Sequence, residues 1–215
     1  MAHADSKADV GAEALPDPAE PSYETGTIPV EGDSDDLSGR ATKARQEPMV
    51  VVPPVDGYGY VPKVGNATYV VLTGSQSEYD VNPRSGGNCP DASINSPEDG
   101  CKHVHRLHLE LERGNVPEPD AAADRYFTER LPALLDAFAH DYNRLQAAQS
   151  HPETDDETFV DPLAEVAFFM QALADAYERY RAAATDGGAP ALTTVVADHT
   201  AEMFVTACRE GDDSE

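Results

Sequence analysis

With 215 residues, 40 acidic side chains against 15 lysines and arginines, and a net charge of −25, the chain suits one or two small domains and repels phosphate and anionic membrane surfaces. Three cysteines without a leader-like start argue against a secreted disulfide scaffold, and no run of about 18 apolar residues offers a membrane span. The expectation is a soluble, cytoplasmic protein. Four lysines against eleven arginines, many small residues and acids along the whole length look like the solvated surface of a protein from a salt-saturated cytoplasm. The competing reading of the same composition is a disordered acidic chain.

Residues 1–37 mix Ala, Pro, Asp, Glu, Gly and Ser with almost no apolar periodicity and read as a disordered acidic tail. The charge then changes abruptly. Residues 1–39 hold ten acids and one lysine (net −9), residues 40–107 seven of each sign (net 0), and residues 108–215 twenty-three acids and seven bases (net −16). At the start of the neutral island, Arg40, Lys43 and Arg45 suit a short basic helical turn. Met49-Val50-Val51-Val52 is β-branched and apolar, a strand signal ended by Pro53-Pro54. Asp56-Gly57-Tyr58-Gly59-Tyr60-Val61 reads as a turn and another short strand. Ala67 to Leu72 and Ser77 to Val81 form a hairpin around Thr73-Gly74-Ser75-Gln76.

After Cys101 the period becomes helical. Val104, Leu107, Leu109 and Leu111 alternate with charged residues until Gly114-Asn115 supplies a stop. Val116 to Asp120 is a linker. Tyr126-Phe127, Leu131, Leu134-Leu135, Phe138, Tyr142 and Leu145 recur at steps of three and four, which predicts a helix that Pro132 kinks or restarts near Leu131. Asp161-Pro162 opens a second helix that ends at Asp186-Gly187-Gly188, and a third is expected from about Ala191 to Arg209. The fold class is therefore α+β: a small antiparallel β-hairpin domain over 38–114, a helical region of about three helices over 115–210, and an acidic tail at 211–215.

Cys89-Pro90-Asp91 and Cys101-Lys102-His103 lie at the hairpin exit and the helix start, with His105 and His108 just beyond. Strand, hairpin, Cys-Pro-Asp and then Cys-x-His opening a helix resembles the SWIM zinc-finger family, whose pattern is Cys-x-Cys, a spacer and Cys-x-His. Arg40-Ala41-Thr42-Lys43-Ala44, the Gly74-Ser75 hairpin, Tyr79-Asp80-Val81, Cys89-Pro90-Asp91 and Cys101-Lys102-His103 fall in the order seen in short archaeal members, across residues 38–114. Gly87 stands where the family's first cysteine belongs. The resemblance implies Cys89, Cys101 and His103 as ligands of one zinc ion. Structural zinc takes four ligands, so the fourth place falls to water, to nothing, or to a neighbouring side chain, with Asp91, His105 and His108 the local candidates. On a regular helix His105 and His108 point to faces other than that of His103. A metal-free degenerate finger, with the cysteines as small core residues, and a Cys89–Cys101 disulfide are the alternatives.

No His-Glu-x-x-His, Gly-x-Ser-x-Gly or phosphate-cradling Gly-Lys-Ser/Thr loop occurs, so no enzyme is expected. The resemblance implies an adaptor, nucleic-acid-associated or protein-binding. Arg40, Lys43, Arg45, Lys102 and Arg106, with Lys63 and Arg84, would serve nucleic acid. The net −16 on the helical half suits a protein partner better, and an exposed remnant of its aromatic stripe would serve a partner or a second copy of the chain. A metal-free finger would act as a protein-interaction scaffold.

Overall fold

The computed structural model describes residues 39–55, 68–98, 100–119, 121–149, 160–184 and 188–204. The expected acidic tails, the short strand near 58–61, Lys63 and Cys208 lie outside these ranges. The architecture is α+β. Four strands form one antiparallel sheet in the order β1 (Met49–Val52), β2 (Tyr69–Thr73), β3 (Ser77–Asn82) and β4 (Gly86–Gly87). The expected hairpin is present, with Tyr69 opposite Val81 and Thr73 opposite Ser77. All four residues of β1 are buried, so both its faces are covered, whereas Glu78 and Asp80 of β3 are exposed while Val81 is buried.

The basic turn is α1 (Gly39–Gln46), which packs on α3 (Lys102–Glu112). In the chain, α2 (Pro90–Asn95) follows β4 and precedes α3. The helical half comprises α4 (Leu131–Gln149), α5 (Val160–Ala183) and α6 (Leu192–Val195), with α3 and α5 both packed against β1 and β2.

Pro132 acts as the sequence predicts. It has no N–H, and its ring crowds the carbonyl four residues back. The chain meets this with a π-helical turn, Tyr126–Arg130, in which the Leu131 N–H reaches the Tyr126 carbonyl, and α4 begins at Leu131. The third expected helix does not run unbroken. After α6, Val196 is extended, and helix resumes over 198–204. The β-branched run Thr193-Thr194-Val195-Val196 favours helix weakly. Asp136 of α4 captures the break, accepting from the Ala197 N–H at 2.9 Å and the Thr200 hydroxyl at 2.6 Å.

A single buried cluster runs from Met49 to Val196, across the expected boundary at 114/115. Its helical part holds the aromatic stripe, with Phe127 stacked on Tyr180 at 4.4 Å and Phe138 on Phe169 at 5.0 Å. Two tyrosine hydroxyls tie the halves together: Tyr126 donates to the Val51 carbonyl on the edge strand at 2.8 Å, and Tyr69 to the Pro117 carbonyl at 2.7 Å. Among the described residues, no helix is long and apolar enough to cross a membrane.

Candidate metal centre

The site is assembled by two helix starts. Cys89 is the N-cap of α2, its sulfur accepting from the Ala92 N–H at 3.4 Å, with Pro90 in the first turn, where a missing N–H costs nothing. Cys101 is the N-cap of α3 and its sulfur makes no capping bond. One residue into that helix comes Lys102, and then His103. The sulfurs of Cys89 and Cys101 and a ring nitrogen of His103 all lie within 4.8 Å of one another, and both cysteines are free thiols. The three residues are 1%, 1% and 3% exposed.

Burial sets the protonation of Cys89 and His103. It pushes the Cys89 thiol up, against the pull of the Ala92 N–H. It pushes His103 down to about 4, with the neighbouring Lys102 charge adding to the effect. His103 is thus neutral near pH 7, the form that ligates a metal. Its Nδ1 faces the Cys101 sulfur at 3.8 Å, and its ring lies against Tyr79 at 4.4 Å. Its Nε2, equally buried, has no hydrogen-bond partner among the described residues. A buried polar atom left unpaired costs about 1–3 kcal/mol, a cost that falls on Nε2 and not on the Nδ1 that faces the sulfur.

The donor set fits a transition metal. Two thiolates and an imidazole around one tetrahedral zinc stand about 3.5–3.8 Å apart given Zn–S near 2.3 Å and Zn–N near 2.0 Å. The Cys101 to His103 separation of 3.8 Å already matches. Cys89, Cys101 and His103 can therefore hold a metal ion.

The residues put forward as a fourth ligand stand apart from this group. Both oxygens of Asp91 are engaged: Oδ2 takes the Arg40 Nε at 2.8 Å, and Oδ1 takes the Arg40 Nη2 at 3.1 Å and Asn95 at 2.6 Å. Arg40 first, then Asn95, holds the Asp91 carboxyl down to about 2. His105 is half-buried in the first turn of α3, and His108 is exposed. At Gly87, a Cβ would meet the Asp80 carbonyl at 3.1 Å and a Val81 methyl at 3.3 Å, tight contacts that favour glycine there.

The five bases assigned to nucleic acid do not form a free patch, and Arg106 is a correction. It is 2% exposed, its guanidinium donating to Glu110 at 2.9 Å and to the Ala44 carbonyl at 3.2 Å, so it has nothing to offer a phosphate. It lies on the buried face of α3 with His103, Leu107 and Glu110, where α1 packs. Arg40 is committed to Asp91, Lys102 is paired with Glu47, and Arg45 donates to the Ala41 carbonyl. Lys43 is exposed. Sequence reasoning passed over Tyr79 as a neighbour of His103. The signal was available, since Tyr79 and Val81 share one face of β3 by the strand's period of two. No protein-family model, no curated protein and no solved structure matches this chain.

Proposed function

We propose that Cys89, Cys101 and His103 hold one zinc ion as a structural clamp, and that the protein is a non-enzymatic, SWIM-like interaction module whose partner is another protein. One observation carries this reading: two thiols and a neutral imidazole converge within 4.8 Å in a buried place. Sulfur and nitrogen donors favour zinc over the oxygen-loving calcium and magnesium. The metal would cross-link the starts of α2 and α3. Cys89 and Cys101 each surrender a thiol proton on binding, while His103 is already deprotonated. A protein partner is favoured over nucleic acid because four of the five proposed basic side chains already have partners within the chain, whose net charge is −25.

Elemental analysis of protein purified at high salt tests the reading, with Cys101→Ser as control. About one zinc per chain, lost in the variant, is the expected result. A folded wild-type protein without zinc would overturn it.

A further inference from the structure

A cleft of about 920 Å³ lies on the helical side, between the C-terminal end of α3 and the turns that lead into α4. Three of its lining side chains are arginines, Arg113, Arg125 and Arg130, and one is an acid, Glu129. The described lining thus carries three positive charges and one negative, a net of +2. Residues 108–215 contain only seven bases against twenty-three acids, and three of the seven are gathered here.

The charges behind the wall leave this excess in place. Arg106 and Glu110 neutralise each other at 2.9 Å. The second oxygen of Glu110 takes Asn115 at 2.7 Å and stands 3.6 Å from Arg130, which remains 37% exposed. Arg125 pairs with Glu129 in solvent. Arg113 is exposed and has no side-chain hydrogen bond or ion pair among the described residues. The positive charges of Arg130 and Arg113 act against ionised Arg106, which burial already disfavours.

One wall of the cleft is helical, and the other is the C-cap of α3 with the connection that follows it. Arg130 sits on the π-helical turn that Pro132 imposes, and Tyr126, one turn earlier, is anchored to the Val51 carbonyl. We propose that this cleft binds a small multivalent oxyanion, a molecule carrying two or more phosphate or carboxylate groups, gripped by Arg113 and Arg130 with Arg125 at the side. Guanidinium forks match the paired oxygens of both groups, and the volume is that of a small-molecule site. The site is independent of the metal centre and makes no use of its ligands.

The test is isothermal titration of the full-length chain with pyrophosphate and with citrate, at the lowest salt at which circular dichroism shows it folded. Saturable binding of either probe is expected, weakened about tenfold or more in Arg113→Gln and in Arg130→Gln, since a hydrogen bond to a charged group contributes on that scale. Arg144→Gln, at the far end of α4, should bind like wild type. Preference for pyrophosphate marks a phosphorylated ligand, and equal or better binding of citrate a polycarboxylate. No saturable binding of either probe, or less than a fivefold loss in Arg113→Gln, overturns the proposal. Arg113 is exposed, so that variant folds even if Arg130→Gln does not.

Discussion

The two ends of α3 carry equally buried polar groups in opposite states of completion. Toward the C-terminal end, Arg106 and Glu110 are 2% and 4% exposed, and Glu110 meets Arg106, Asn115 and, at longer range, Arg130. At the N-terminal end, Cys101 and His103 are buried to the same degree, yet with Cys89 they leave an imidazole nitrogen unpaired. A buried polar cluster that the chain completes for itself is a structural tie. One that it leaves open, built from metal-binding atoms, is a place for something from outside.

The comparison is broken most severely at the finished end. Glu110→Ala strands Arg106 in the interior beside α1, and removal of one partner of a buried pair costs about 3–5 kcal/mol, a large part of the stability of an ordinary domain. Arg106→Met with Glu110→Leu should recover most of that loss, because apolar residues of similar volume remove both charges together. Urea unfolding followed by circular dichroism measures both. A cost below about 1 kcal/mol for Glu110→Ala would show that water reaches the pair and that this end is not tied as described.

The unfinished end should instead be sensitive to acid once metal is chelated. His103 titrates at about 4 in the fold and near 6.5 when unfolded. Between those values the unfolded chain binds a proton that the folded chain refuses, so stability falls as pH drops from 6.5 to 4, by about 3 kcal/mol in total. Above pH 6.5 this contribution is flat. Unfolding midpoints across that range, for chelated wild type and for His103→Gln, provide the check. Equal slopes for the two proteins would remove His103 as the source.

Much of this was legible in the sequence because it rests on local rules. The hairpin followed from β-branched runs around Gly74, the end of α3 from Gly114-Asn115, and the restart at Leu131 from Pro132. Cys89, Cys101 and His103 were legible as a group because residue type and spacing mark metal chemistry. What was hidden depends on tertiary contact. The fate of Arg106 is decided by α1 docking on α3, and the break at Val196 by Asp136 from another helix. The cluster of Arg113, Arg125 and Arg130 has no sequence motif, since a cleft between two helices gathers them.

The smallest expected effect sharpens the same contrast at α2. Arg40 and Asp91 form an ion pair that solvent reaches from both sides, so its loss should barely move stability. Its signature is in titration. In Arg40→Ala the Asp91 carboxyl should move from about 2 toward its ordinary 3.8, read by carboxyl NMR. A depressed carboxylate pKa stabilises the fold above pH 3.8, and that contribution is lost as pH falls toward 2, a window below the one set by His103. Zinc content should be the same in Arg40→Ala as in wild type, because Asp91 is occupied by Arg40 and Asn95 rather than by the metal cluster. A change in zinc content on removing Arg40 would mean that Asp91 takes part in the metal site, and that the N-terminal end of α3 is completed from within the chain after all.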